Sequence, residues 1–64
     1  MRSKIVGQTL IFSDDSGYTF APGKALITEY LGERVYQGRI LECSDDKYLD
    51  KSFAFLRHEL KGGI

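Results

Sequence analysis

Apolar and polar positions change rhythm along this chain, and each rhythm predicts a different element. Ile5 to Ser13 is rich in β-formers, with Val6, Leu10 and Phe12 on one side beside Gln8, and Ile5 and Ile11 on the other beside Gly7 and Thr9. Asp14-Asp15-Ser16-Gly17 predicts a turn, because Asp side chains bond nearby backbone and Gly accepts positive φ. Tyr18 to Ala21 then returns as a second strand, completing a first hairpin, and Pro22-Gly23 ends it.

Ala25 to Leu31 fits two elements. As a helix it pairs Leu26 with Tyr30 and Ile27 with Leu31, and stops at Gly32. As a strand it turns at Gly32-Glu33 and pairs with Arg34 to Cys43, a loop with Gly first suiting a tight hairpin. The strand is favoured. With Leu31 opposite Arg34, one face carries Leu26, Thr28, Tyr30, Val35, Gln37, Arg39, Leu41 and Cys43. The other carries Ala25, Ile27, Glu29, Leu31, Arg34, Tyr36, Gly38, Ile40 and Glu42. Neither face is polar throughout. One helix can cover only one of them, so the sheet must curl into a barrel or meet a second copy, which makes a homodimer an expectation.

Ser44 to Gly63 predicts a helix. Ser44 is a good N-cap, Asp45 and Asp46 suit the positive end of the dipole, and Lys61, Gly62 and Gly63 form a stop. At about 100° per residue, Leu49, Phe53, Leu56 and Leu60 fall on one line, flanked by Tyr48, Ser52 and Phe55. Lys47, Asp50, Lys51, Ala54, Arg57, His58 and Lys61 fall on the other side. The expected fold class is therefore α+β in a single domain, residues 1–64. It is a four-stranded antiparallel sheet of two hairpins with one C-terminal amphipathic helix packed on one face. The variant is a small SH3-like barrel capped by the helix. Gly7, Leu10 and Ser13-Asp14-Asp15 echo as Gly38, Leu41 and Ser44-Asp45-Asp46, which predicts similar exits from two strands and not a repeat.

Composition narrows the function classes. A chain of 64 residues holds one small core, for which oligomerisation is a common supplement. Nine basic and nine acidic residues balance, which disfavours a strongly electrostatic nucleic-acid binder. With Cys43 as the one cysteine, no internal disulfide can form, and the expected role is a small buried hydrophobe at a strand end. No leader pattern opens the chain and no span is apolar enough for a membrane, so a cytoplasmic setting is expected. His58 has no orienting partner in sequence, and the Asp pairs lack the alternating pattern of a calcium loop. No catalytic residue, metal or cofactor is expected.

Two binding surfaces remain. Tyrosine and arginine anchor protein interfaces, so Tyr30, Arg34, Val35, Tyr36 and Arg39 of this hairpin predict a non-enzymatic regulator or inhibitor that binds a protein partner, or itself, through the uncovered sheet face. The alternative is a nucleic-acid-binding module that lays Lys47, Lys51, Arg57 and Lys61 of the helix along a phosphate backbone. Gly32 to Phe55 also resembles, in its hairpin-then-helix order over about a third of the chain, the arm-binding domains of tyrosine integrases. That resemblance implies DNA binding, although the basic strands of such domains are missing here.

Overall fold

The computed structural model describes residues 4–62 and contains no α-helix among them. Five antiparallel strands form one sheet: β1 (Thr9–Phe12), β2 (Gly23–Gly32), β3 (Val35–Glu42), β4 (Ser52–Leu56) and β5 (Leu60–Lys61), in the order β4-β3-β2-β1-β5. Single 3-10 turns occupy Asp14–Ser16, Asp46–Tyr48 and Arg57–Glu59. The α+β expectation is thus overturned. Both of its versions placed a helix on the sheet, and the helix is absent. The sheet has five strands instead of four, and the likeness to integrase arm-binding domains falls with the helix. No helix among the described residues is long and apolar enough to cross a membrane.

The order of strands forces the sheet to curl. In a flat sheet, β4 and β5 would lie four strand spacings apart, roughly 19 Å. Yet the Arg57–Glu59 turn alone joins them, and four 3-10 steps reach only about 8 Å. The two edges are therefore brought together at this turn, and the concave face closes on itself. Ala25, Ile27, Tyr36, Ile40 and Phe55 are buried inside, with Leu10 and Phe12 from β1 and Leu60 from β5. Curling lets the concave face cover itself, while Ile11, Leu31, Leu41 and Leu56 stay exposed.

Why the last third makes a strand can be read from the packing. The helix start signal yields one 3-10 turn, in which the Asp45 carboxylate, not Ser44, accepts the Lys47 backbone N–H at 3.2 Å. Asp50 then turns left-handed, with φ 63°. Beyond it, Ser52-Phe53-Ala54-Phe55-Leu56 alternates with the period of a strand. As a strand it pairs the open edge of β3 and points Phe55, fully buried, into the core. A helix would leave that edge of backbone donors and acceptors unpaired. Leu49 and Leu56, members of the expected helical stripe, are 39% and 40% exposed. Gly63, expected in the helix stop, lies outside the described residues.

The first hairpin is also rebuilt. β1 pairs with β2, not with Tyr18–Ala21, so residues 13–22 are one long loop. That loop still serves the core: Phe20 is buried, and Tyr18 and Phe20 pack edge-on against Phe12, with ring centroids at 6.3 and 5.4 Å. The two echoing segments do share a role, since each leads from a strand into a 3-10 turn. Ala25–Leu31 is strand, as favoured. Gly23 begins β2 in a place where a Cβ would collide with the Glu42 carbonyl and lie 2.6 Å from the Phe12 ring.

Candidate tyrosine–arginine groove

The β2–β3 hairpin is the longest element, and two irregularities in it build the candidate site. The register shifts between Ile27 and Glu29, so Ile27 opposes Gly38, Glu29 opposes Gln37 and Tyr30 opposes Tyr36. One extra residue in a strand moves everything beyond it to the other face. The unbroken register would put Tyr30 and Tyr36 on opposite faces; the bulge puts them together, with ring centroids 4.9 Å apart. Tyr36 is 9% exposed and forms the floor, whereas Tyr30 is 45% exposed and leans over it.

The second irregularity is the turn. Gly32 pairs with Val35, so the loop is Glu33-Arg34, one residue later than expected. Both loop residues are left-handed, with φ 53° and 66°. This two-residue form matches the twist of a hairpin but is usually built from Asn and Gly. Residues with a Cβ cost about 1–2 kcal/mol each in this conformation. Chains tolerate such strain where the rest of the structure over-determines it, often at binding sites.

The strained turn sets Arg34 beside Arg57. The Arg57 backbone N–H donates to the Arg34 carbonyl at 2.8 Å, extending the β3–β4 ladder past the Val35–Leu56 pair. The half-buried Arg57 guanidinium donates through Nη1 to the Leu60 carbonyl at 2.9 Å, which fixes its plane. Tyr30, Arg34, Tyr36, Arg57, His58 and Leu60 together line a groove of about 310 Å³. No acidic side chain lines it, and neither arginine makes an ion pair with another described residue.

The expected protein-binding set is therefore divided. Tyr30, Arg34 and Tyr36 meet in the groove, while Val35 and Arg39 alternate to the outer face of β3. There Val35 is the cross-strand partner of Leu56, and Arg39 of Ser52. The expected nucleic-acid surface does not assemble, because it needed the helix. Lys47 lies in a 3-10 turn, 3.7 Å from Asp45, Lys51 precedes β4 and Lys61 is on β5. Of that set only Arg57 enters the groove. His58, set aside as a solvated residue, was missed as part of the groove. The signal that could have found it is the strand alternation of residues 52–56, which ends just before it.

A neighbouring network, whose polar groups are already paired, provides the contrast. The Tyr18 hydroxyl lies 2.8 Å from both the Ala54 carbonyl and the Glu59 carboxylate, and its single proton serves one of them at a time. Glu59 also accepts the Leu56 N–H at 2.9 Å, and the Ser16 hydroxyl donates to the Glu59 carbonyl at 3.2 Å. Side chains thus occupy the free edge of β4. Burial, then the hydrogen bond to Glu59 and its charge, raise the Tyr18 pKa far above the usual phenol value. A second hollow of about 320 Å³, beside Ile11 and Pro22, holds Lys24 and Glu42 only 3.8 Å apart, so its charges already satisfy each other. Cys43 beside it is half-buried, and its thiol donates to the Asp45 carbonyl at 2.8 Å. No group of His, Cys, Asp and Glu fit to hold a metal occurs among the described residues. The chain matches no known family model, no curated protein and no solved structure.

Proposed function

We propose that this protein is a small, non-enzymatic binding module that holds a segment of a partner protein in the tyrosine–arginine groove. One observation carries the reading: an exposed tyrosine, tilted against a buried one, is flanked by two arginines without ion pairs to described residues, in a chain whose other aromatic residues are packed or hydrogen-bonded. Tyrosine and arginine supply most of the anchoring energy at protein interfaces, above all next to well-packed, water-excluding neighbours. Tyr30 offers a ring face and a hydroxyl with no hydrogen bond to another described residue; Leu60 and Tyr36 offer an apolar floor. These are features of recognition, and the groove has no paired acid and base for chemistry.

The test is selection from a displayed random-peptide library against the whole protein, with Tyr30→Ala and Arg39→Gln screened in parallel. Enriched peptides should bind the unsubstituted protein and Arg39→Gln alike and lose affinity for Tyr30→Ala. Peptides that bind Tyr30→Ala equally well would place recognition elsewhere. Self-association is the version of this reading in which the partner is a second copy. Light scattering showing a dimer that Tyr30→Ala dissociates would support that version.

A further inference from the structure

Resting on that reading, we infer that the groove is a two-arginine clamp for a carboxylate, and that the partner segment is acidic with an apolar or aromatic side chain beside its acid. Arg34 and Arg57 are neighbours across the end of the β3–β4 ladder, fixed by the 2.8 Å bond between their own backbones. Like charges facing each other across a sheet are destabilising. Here the chain holds nine acidic residues that could relieve the repulsion, yet none lines the groove. Glu59, two residues from Arg57 in the same 3-10 turn, is committed to Leu56 and Tyr18 instead.

The arrangement is also preorganised. A guanidinium presents five donors in a planar fork that fits a carboxylate with two parallel bonds. Arg57 uses one donor on the Leu60 carbonyl and keeps the others. Arg34 sits on a turn that departs from the favoured Asn-Gly composition, and its side chain spends no donor on another described residue. His58 adds further N–H capacity at the rim. An anion between the arginines removes their mutual repulsion and fills both forks, while Tyr30 and Leu60 bind the apolar neighbour. The charge of the groove would equally attract a nucleic-acid strand, but no lysine lines the groove, and Lys47 and Lys24 are paired with Asp45 and Glu42.

The experiment is fluorescence anisotropy of three dye-labelled probes with the whole protein, at low and high salt. The probes are an acidic hexapeptide alternating Glu or Asp with Phe, its lysine counterpart, and a short oligothymidylate. The acidic peptide should bind best and weaken with salt. Arg34→Gln should weaken it by about tenfold or more, since a charge-assisted bidentate pair is lost. Arg34→Lys should recover part of that loss, and Arg39→Gln none of it should incur. Without peptide, Arg34→Gln should melt at the same temperature as the unsubstituted protein or higher, because a like-charge contact is relieved. Equal binding of the lysine peptide, sensitive to Tyr30→Ala, would overturn the clamp and leave the peptide-binding reading standing. Tighter binding of oligothymidylate through Arg34 would overturn both. Failure of the acidic peptide to bind, indifference to Arg34→Gln, or a lowered melting temperature for that variant would each overturn the clamp.

Discussion

Two aromatic groupings in one small protein are used in opposite ways. In one, Phe12, Tyr18, Phe20, Phe53, Phe55 and Tyr48 pack ring against ring, and the Tyr18 hydroxyl is tied down. In the other, Tyr30 and Tyr36 meet at a tilt beside two arginines and a histidine in an open groove, although Tyr36 is the cross-strand partner of Phe55. The residue types overlap; the surroundings differ. Where every ring has a ring or backbone partner, aromatic area is spent on holding the fold. Where the partners are cations without counter-charges, the same area is left for something outside the chain.

Substitutions should separate the two groupings by size of effect. Phe55→Ala removes a fully buried ring that stacks on Phe12 at 5.3 Å. It should cost about 3–5 kcal/mol, enough to unfold much of a chain this small at physiological temperature, as seen in urea-induced loss of circular dichroism. Stability close to that of the unsubstituted protein would mean that the aromatic cluster is not the core. Tyr18→Phe should cost about 1–2 kcal/mol, the loss of a partly buried hydrogen bond with its acceptors left behind.

The same substitution should alter the pH profile. The Tyr18 pKa is higher in the folded than in the unfolded chain. Its contribution is therefore full below the unfolded value of about 10 and is lost as pH rises beyond it, because the unfolded state sheds its phenolic proton first. Urea midpoints should fall above that pH and fall less steeply in Tyr18→Phe. Identical slopes would show that Tyr18 does not carry the alkaline transition. Smallest of all, Tyr30→Ala should change stability by no more than about 1 kcal/mol, although it removes a ring as large. A loss comparable to that of Phe55→Ala would erase the distinction between the two groupings.

How much of this was legible in sequence depends on the range of the interactions involved. The β2–β3 hairpin was legible because β-formers flank a turn glycine, both local signals. Phe53 and Phe55 were legible as core residues but not as strand residues. Leu49, Phe53, Leu56 and Leu60 also satisfy a helical spacing, and only the unpaired edge of β3 decides between the two. The register shifts at Thr28 and Leu31 left no mark in composition, yet between them they put Tyr30 on the same face as Tyr36. Within the groove, Tyr30, Arg34 and Tyr36 were singled out from residue type. Arg57 was assigned to another surface and His58 to none, because both reach the groove through the edge-joining turn, a long-range consequence of curling.

The central claim is that the groove is kept for recognition at some expense in stability, whereas the aromatic cluster is built for stability. The Glu33-Arg34 turn tests it most directly, because both residues occupy left-handed backbone that Asn and Gly accept more readily. Urea unfolding of the double variant Glu33→Asn, Arg34→Gly should show a gain of about 1–2 kcal/mol, together with loss of acidic-peptide binding. A variant that is no more stable, or that binds the peptide as before, would contradict the account.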